Sequence, residues 1–586
     1  MTGPSAAVDA VAARVEPYLD LVTAPFTLPG SRLLVLRAGE ALTVRSAEYE
    51  RPLSECGVVE RFRVFGADGR PAAVSSVRPE RIAFGATGVS LTFDGPDAIS
   101  IGADGAWEIE FEIPASDGGA PDAGRWRIGL PSAETARWHT SAAHGVRVTR
   151  DATGSSDVVR VGFSAGGSIR IGTDDGVPTS HAAALDSTTR SWREWFARIP
   201  RVREDLADMT AFCWWVLGAN TIRLRGRGVR AVVPSKIGYV GLWQWDAYFI
   251  AAGLRHGAPE LAREQLDIAF AYPTPEGQLP DVVHEEGVLA SSEDLPPQDR
   301  ENLRRAGSAI ADPDAAIPLT KPPLSAWALT RLEGLVDDPA WFDSAWGTVA
   351  RSQEWWFRCS DLDDDGMPEY GHPYSSGLDD SPVFDAALPV SSPDLAAYLV
   401  VQDDLLAARA RALGDSASAT RYSLRADRTM TLLETMWNEE GGYYQSRGAG
   451  VPIPAETAVS LLPLLTGRLP AARVQAILLA LSDPERFATP WPVPTVARNA
   501  AAYSSERMWR GPVWINVNAL LVEGLRASGH PAEARELAER TLRLVQHAGG
   551  PHEYFNPLTG LKASRATTAF AWSAALYIDL AVGSSR

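Results

Sequence analysis

The chain has 586 residues, of which 45% are apolar and 22% are charged, so it is long enough for two or three domains with a large core. Its net charge of −18 disfavours nucleic acid and anionic membrane surfaces as partners, because both repel an acidic protein. Weakly charged small molecules are the ligands that this composition favours.

Tryptophan is abundant and unevenly placed. The chain has 19 tryptophans, and only Trp107, Trp126 and Trp138 precede residue 190. The flat indole ring packs in protein cores and also stacks on sugar faces, so this content raises the expectation of carbohydrate binding.

The cysteines and the first residues bear on location. Cys56, Cys213 and Cys359 are far apart and odd in number, which predicts neither a disulfide framework nor a cysteine zinc site and favours a reducing compartment. The start of the chain lacks the basic and apolar runs of a signal peptide, and no apolar stretch is long enough for a transmembrane helix. We therefore expect a cytoplasmic protein that is a monomer or a homo-oligomer.

Residues 1–190 predict an all-β sandwich domain. Its first 24 residues are a short lead-in. Between Ser31 and Thr173 apolar and polar residues mainly alternate, as in Arg61–Phe65, and Gly, Pro and Asp residues interrupt the runs at short intervals. The predicted strands are Arg32–Leu36, Val58–Phe65, Val89–Phe93, Trp107–Ile113, Val146–Thr149 and Val158–Phe163.

Residues 191–586 predict an all-α domain, because apolar residues recur there at helical spacing. Ser392-Pro393-Asp394 has a capping residue, a proline at the first helical position and an acidic first turn. Roughly a dozen helices pair into six hairpins, which predicts a closed two-layer (α/α)6 barrel whose long loops build a site at one end. Besides the helices that start near 392 and 531, the predicted helices cover residues 210–222, 246–256, 259–271, 324–335, 342–358, 417–437, 455–464, 471–481, 513–528 and 567–581.

The segment Gly241–Phe249 carries two tryptophans and an acid. Trp243 and Trp245 could form a stacking wall beside a sugar, with Asp246 accepting hydrogen bonds from vicinal hydroxyls. The alternative is a buried helix start that Asp246 caps.

Two adjacent acids, Asp379 and Asp380, lie in a loop bounded by turn-forming residues. Acids in such loops are usually solvated or cap helices. The functional interpretation is a buried carboxyl with a raised pKa that protonates a leaving group.

Glu553 lies among aromatic residues just before the Asn556-Pro557 turn. It could act as a general base that holds a water molecule. The alternative is an acid that only satisfies backbone amides of its own loop.

The segment Met508–Asn518 places an Arg-Gly-Pro turn between two tryptophans. Arg510 and Gly511 allow a close backbone approach to a ligand, and Trp509 and Trp514 offer surfaces for stacking. The alternative is a structural stack of tryptophan on arginine.

An acidic loop begins at Asp361. Asp361, Asp363 and Asp365, followed by a glycine, suit an oxygen-rich calcium loop, although His372 stands where an EF-hand has its bidentate acid. The loop predicts either structural calcium or a solvated acidic turn, and we expect no cofactor for catalysis.

Four motifs occur in a fixed order: Trp-x-Trp-Asp, Ser-Gly-x-Asp, Trp-Arg-Gly-Pro-x-Trp and Glu-x-x-Asn-Pro-x-Thr-Gly. Together they resemble the inverting α-glycosidases with (α/α)6 barrels over residues 195–586. The chain is similar to glycoside hydrolase family 63, with its bacterial α-glucosidases and its mannosylglycerate and glucosylglycerate hydrolases, and more distantly to the family 37 trehalases. The resemblance implies release of a terminal α-linked glucose or mannose from a small glycoside or oligosaccharide.

The resemblance also implies roles for individual residues. It assigns Asp379 as general acid, in preference to Asp380, and Glu553 as general base. The loop that ends at Glu369 resembles a calcium-binding loop of larger family members. The sugar-binding positions that it implies are Trp243, Trp245, Asp246, Tyr503 and Trp509.

One position departs from the family pattern. Lys321 precedes Pro322-Pro323, where relatives have a neutral polar residue, often Gln. If Lys321 faces the pocket, a substrate with an anionic aglycone has to be considered.

The predicted mechanism is hydrolysis with inversion, which requires the two carboxyls to be roughly 6.5–9.5 Å apart. Two other classes stay open. A helical-barrel sugar epimerase or isomerase would use histidines, and His284, His372 and His552 lie near the motif loops. A non-catalytic carbohydrate-binding protein would keep the tryptophans without needing both carboxylates.

Overall fold

The computed structural model describes residues 4–49, 51–114, 125–129, 135–140, 146–152, 156–174, 176, 178–224, 228–285, 287–296, 300 and 316–585. The chain divides into two compact units, Met1–Ile199 with Trp214–Val240, and Pro200–Cys213 with Gly241–Arg586. The domain limits inferred from the sequence, 1–190 and 191–586, stay a prediction. Within the described ranges, no helix has the length and apolar character needed to cross a membrane.

The first unit is rich in β-structure. Its strands are β1 Leu33–Ala38, β2 Ala41–Ser46, β3 Gly57–Gly66, β4 Pro71–Ala72, β5 Val74–Arg78, β6 Arg81–Phe84, β7 Val89–Phe93, β8 Ala98–Ala103, β9 Trp107–Pro114, β10 Arg125–Gly129, β11 Thr135–Thr140, β12 Val146–Ala152, β13 Ser156–Phe163, β14 Gly167–Gly172, β15 Thr221–Leu224 and β16 Val229–Val232. One antiparallel sheet has the order β1-β2-β3-β9-β13-β12, with β4 paired to β3, and a second has the order β10-β11-β14-β8-β7-β6-β5. The six predicted strands are all present, with small shifts at their ends.

Two helices of this unit are α1 (Pro4–Val15) and α2 (His181–Phe196). The hydroxyl of Ser180 caps α2 by accepting from the amide of Ala183 at 3.2 Å. The ring nitrogens of His181 lie 2.8 Å from the Ser90 hydroxyl on β7 and 3.0 Å from the Ser100 hydroxyl on β8. Because α2 covers this sheet, the residues of β8 are buried on both faces.

Helix α3 (Glu204–Ala219) is shared by the two units, because the boundary after Cys213 lies within it. The second unit contains short strands and a series of helices. They are β17 Leu242–Trp243, α4 Gln244–Leu254, α5 Pro259–Ala269, β18 Val282–Val283, β19 Val288–Leu289, α6 Ser325–Thr330, α7 Pro339–Cys359, α8 Pro373–Ser376, β20 Val390–Ser391, α9 Pro393–Ala412, α10 Ser416–Thr435, β21 Trp437–Asn438, β22 Tyr443–Tyr444, β23 Arg447–Gly448, β24 Val451–Pro452, α11 Ala471–Ser482, α12 Ile515–Ala527, α13 Pro531–His547 and α14 Ala571–Ser584.

Two kinds of helix alternate along the second unit. Helices α4, α12 and α14 are buried on nearly all sides, whereas α5, α10 and α13 bury one face and expose the other. Helices adjacent in sequence pack on each other, as α4 on α5, α9 on α10 and α12 on α13. The loops at the starts of the buried helices carry most of the motif residues.

Apart from shifts at the ends of helices, such as the helix expected over 324–335 that ends at Thr330, the structure differs from the sequence predictions at two places. The segment expected to be helical over 455–464 forms two short 3-10 turns, Ala458–Ser460 and Leu462–Thr466, because Pro463 has no amide hydrogen for an α-helical bond. Helix α9 begins at Pro393 as expected, but the Ser392 hydroxyl donates to the carboxylate of Asp394 rather than accepting from a backbone amide.

Candidate active site

The first motif joins a two-residue strand to the start of α4. Trp243 pairs with Val282 in the β17–β18 ladder and is half-buried, and the helix begins at the next residue. Asp246 lies in the first helical turn and is 6% exposed. It is not the capping residue, since Trp243 occupies that position without a side-chain bond. Burial raises the pKa of Asp246 well above its usual range, although nearby Lys321 opposes this.

The loop with the adjacent acids packs directly on the first motif. Helix α8 ends at Gly377, whose φ of 70° is left-handed. A Cβ atom there would lie 2.1 Å from the Cζ2 atom of Trp245, so only glycine fits against this ring. The tight turn then presents Asp379 two residues later.

Asp379 and Asp380 have different surroundings. Asp380 accepts from the Trp509 amide at 2.8 Å and from Arg507 Nε at 3.0 Å. Asp379 Oδ1 is buried and has no hydrogen-bond partner among the described residues, although part of the residue's surface stays open. Burial raises the pKa of Asp379 to about 7; Lys321 opposes this, whereas Asp281, Asp380 and Glu553 add to it. Asp379 is therefore a carboxyl that keeps its proton to a much higher pH than an ordinary aspartate does.

Glu553 is buried, with 3% of its surface exposed. Its Oε2 atom accepts from the Thr567 amide at 2.8 Å, and its own amide donates to the Thr567 carbonyl at 2.9 Å. Three residues later, the Asn556 side chain accepts from the amides of Leu558 and Thr559, which forms the expected turn. Glu553 contributes to the raised pKa of Asp379, so the two candidate carboxyls lie close enough to interact.

The two tryptophans of the third motif are buried beside the first motif. Trp509 and Trp514 stack with ring centroids 3.7 Å apart and an angle of 6° between planes. Trp509 lies 6.2 Å from Trp245, and Trp572 lies 5.4 Å from Trp245. Trp514 also stacks on Tyr554, the neighbour of the candidate base, at 4.9 Å. These rings form one aromatic cluster beneath the two carboxyl loops, which accounts for five of the abundant aromatic residues.

The remaining residues of that motif fix the loop. Both terminal nitrogens of Arg510 bind Asp385, one of them at 2.8 Å. A Cβ atom on Gly511 would lie 2.4 Å from the Ser504 carbonyl oxygen, so the turn needs glycine. Tyr503 packs against this turn, and its buried hydroxyl has no hydrogen-bond partner among the described residues.

Lys321 reaches the same group of acids. Its Nζ atom lies 2.9 Å from Asp281 Oδ1 and donates to the Tyr374 carbonyl at 2.6 Å. Burial alone would lower the pKa of Lys321, but Asp281, Asp379 and Asp246 outweigh burial and raise it. Burial raises the pKa of Asp281 to about 6 against the opposing effect of Lys321.

Three residues around the site, Asp281, Gln244 and Trp572, were not predicted from the sequence. Asp281 follows Pro280 directly before the short strand β18, and no motif marks it. Trp572 opens the last helix, where its ring would be taken for ordinary core. The sequence signal at Asp281 is an acid directly before a short apolar strand, Val282–Val283.

The acidic loop has the donor atoms that calcium prefers. Carboxylate oxygens of Asp361, Asp363 and Asp365 lie within 4.8 Å of one another. Glu369, which is 1% exposed, accepts from the Leu362 amide at 3.2 Å, so its carboxyl lies beneath the same loop. Burial, helped by Asp363, raises the pKa of Glu369 to about 7. The residues present thus fit a calcium ion in their chemistry.

Comparisons with known proteins agree with this arrangement. A family model described as mannosylglycerate hydrolase MGH1-like glycoside hydrolase domain matches residues 239–573. A mannosylglycerate hydrolase from Rubrobacter radiotolerans is 28% identical over 418 residues, which cover 58% of this chain and 91% of the relative.

Two solved structures are also similar. The GH63 mannosylglycerate hydrolase from Thermus thermophilus, in complex with Tris and D-glycerate, has a TM-score of 0.51 and 26% identity over 63% of this chain and 98% of its own. A bacterial glucoamylase complexed with acarbose has a TM-score of 0.56 over 96% of this chain and 94% of its own, and its 12% identity makes this a likeness of fold alone.

A β-rich region, a helical region and a site with two buried carboxyls, taken with these relatives, define a glycoside hydrolase. The chain belongs to the MGH1-like glycoside hydrolase family, of the GH63 type, as the four motifs predicted. This conclusion favours hydrolysis over the epimerase and the non-catalytic alternatives.

Proposed function

We propose that the chain hydrolyses a terminal α-linked glucose or mannose from a small glycoside or oligosaccharide, with inversion at the anomeric carbon. Asp379 acts as general acid and Glu553 as general base. The observation that carries the proposal is the environment of Asp379, a carboxyl with a buried, unbonded Oδ1 and a pKa near 7 that interacts with Glu553. We also propose that the helical hairpins of the second unit close into an (α/α)6 barrel.

The two steps of the reaction fall to different carboxyls. Protonated Asp379 donates to the leaving oxygen, whereas Asp380 is unsuited to this task because both its oxygens accept from Trp509 and Arg507. Glu553 removes a proton from a water molecule that attacks the opposite face of the sugar ring. The buried rings of the aromatic cluster exclude water, which strengthens the electrostatic stabilisation of the oxocarbenium-like transition state.

The substrate proposal follows the relatives. The Rubrobacter protein is named a mannosylglycerate hydrolase, and the Thermus enzyme was solved with D-glycerate. We therefore put mannosylglycerate and glucosylglycerate first, with Trp243, Trp245, Asp246, Tyr503 and Trp509 around the terminal sugar. The three free cysteines agree with the reducing, cytoplasmic setting that we propose for this reaction.

A substrate panel with NMR detection of the first-formed anomer tests the proposal. The panel contains mannosylglycerate, glucosylglycerate, kojibiose, nigerose, trehalose and isomaltose. Release of the β-anomer supports inversion; release of the α-anomer, isomerised sugar or no reaction contradicts it. We expect D379N and E553Q to lose about 10²–10⁴-fold in kcat, and E440Q, which alters an exposed acid, to match the wild type.

We also propose that Asp361, Asp363, Asp365 and Glu369 hold a structural calcium ion. The proposal is supported by the convergence of carboxylate oxygens and the buried acid beneath them. The ion would stabilise the loop that precedes α8, and it takes no part in the chemical step.

A further inference from the structure

Two residues that the reaction does not consume, Lys321 and Asp281, form an ion pair beside the proposed acid. The Lys321 Nζ–Asp281 Oδ1 distance is 2.9 Å, and the side chains are 5% and 3% exposed. Lys321 Nζ also donates to the Tyr374 carbonyl at 2.6 Å, in the helix that leads to Asp379. The pair is therefore connected to the segment that presents the acid.

The main chain holds both residues in place. The Lys321 amide donates to Gln244 Oε1 at 3.0 Å, and the Gln244 amide donates to the Asp281 carbonyl at 2.9 Å. Gln244 is the first residue of α4, which carries Asp246 in its first turn. Lys321, Asp281 and Gln244 thus form a closed ring of contacts that joins three separate chain segments.

The charged groups around Asp379 come from every neighbouring segment. Four acids, Asp246, Asp281, Asp380 and Glu553, interact electrostatically with Asp379, and Lys321 faces it with positive charge. The positive charges on the far side of Asp380 belong to Arg507 and Arg510, which bind Asp380 and Asp385. His372 is neutral, because burial, helped by Lys321, lowers its pKa to about 3.

This arrangement argues against Lys321 as a binding site for an anionic substrate group. Its ammonium group already forms an ion pair with Asp281 and donates to the Tyr374 carbonyl. Asp281 already balances the positive charge of Lys321, so little charge is left to attract an anion. The contacts suit a lysine that holds a loop and balances carboxylates.

We propose that Lys321 and Asp281 are a positioning pair for the general acid. Lys321 holds the Asp379 segment through the Tyr374 carbonyl, and the two charges of the pair set the pH at which Asp379 gives up its proton. This inference rests on the proposed function, since it assigns a task to residues around the proposed acid.

The test is the pH dependence of kcat/KM for the wild type, D281N, K321M and K321Q. Loss of the Asp281 charge should move the alkaline limb to lower pH by about one unit, because a negative neighbour of Asp379 is removed and Lys321 is freed to face it. Loss of the Lys321 charge should move the limb to higher pH. Glutamine keeps an N–H for the Tyr374 carbonyl, so K321Q should retain more kcat than K321M at the optimum of each.

Circular dichroism and Tm measurements establish whether each variant is folded. If K321M does not fold, the comparison of K321Q with the wild type still tests the pair. Limbs that do not move, or that move in the same direction for D281N and K321Q, overturn the pair. A rise in KM confined to anionic substrates, with an unmoved limb, assigns Lys321 to anion binding instead. D379N separates the two proposals: its turnover at the wild-type rate overturns both, whereas an inactive D379N with unmoved limbs overturns the pair alone.

Discussion

Replacement of Gly377 by alanine probes the contact that places the candidate acid. The left-handed backbone costs any alanine about 1–2 kcal/mol, and at Gly377 the φ is 70°. The new Cβ would also meet the Trp245 ring at 2.1 Å, and relief of such overpacking costs about 1–3 kcal/mol more. Gly414 is a matched control, since its φ is 78° and a Cβ atom there would have no other atom within 4 Å. We expect about 2–5 kcal/mol for G377A against 1–2 kcal/mol for G414A.

The measurements are the urea midpoint and kcat/KM of both variants. If the overpacking is relieved by a displacement of Asp379, the activation free energy rises by the same amount, about 1–3 kcal/mol. The kcat/KM of G377A then falls about 5- to 150-fold. Gly414 is exposed and lies two residues beyond the end of α9, so G414A should keep wild-type kinetics. Equal midpoints for the two variants, together with unchanged kinetics for G377A, would refute the reasoning.

Three other outcomes can be measured on the same protein. R425M should destabilise it by about 3–5 kcal/mol in urea unfolding, because Asp403, bound by Arg425 at 2.9 and 2.7 Å, is left buried and uncompensated. R409M removes only the more exposed ion pair with Asp343 and should lower the free energy of unfolding by about 1 kcal/mol or less. Equal losses of stability for R425M and R409M would contradict this expectation. The wild-type kcat/KM should fall with rising pH above about 7, since Asp379 must be protonated to act and its pKa is about 7; a flat profile to pH 9 would count against it as the acid. Millimolar CaCl₂ should raise the Tm of the wild type but not of D363N, and an unchanged wild-type Tm would remove the calcium proposal.

The sequence was informative wherever short-range pattern decides structure. Alternation of apolar residues predicted the strands of the first unit, and Pro393 marked the start of α9, because both signals act within a few residues. The resemblance carried by the ordered motifs implied Asp379 and Glu553, and each of these acids stands next to its own turn. Those turns form locally, at Gly377 and at Asn556.

The properties of the site depend on residues far along the chain, which no local pattern contains. Asp379 and Asp380 look alike in sequence, and donors far along the chain, the Trp509 amide and Arg507 Nε, make them different by binding Asp380. Lys321 could be noticed as unusual, but its partner Asp281 could not be found, since the two are far apart in sequence and meet only in the folded structure. Charge balance in a buried site is a tertiary property.

The paired bonds between Glu553 and Thr567 have an evolutionary consequence. The residue at 567 contributes its main-chain amide and carbonyl to these two bonds, so the bonds do not depend on the identity of its side chain. Drift at this position should be tolerated for nearly every amino acid, with proline as the exception because it has no amide hydrogen. Most single-nucleotide changes at codon 567 should therefore leave these two bonds to the candidate base in place.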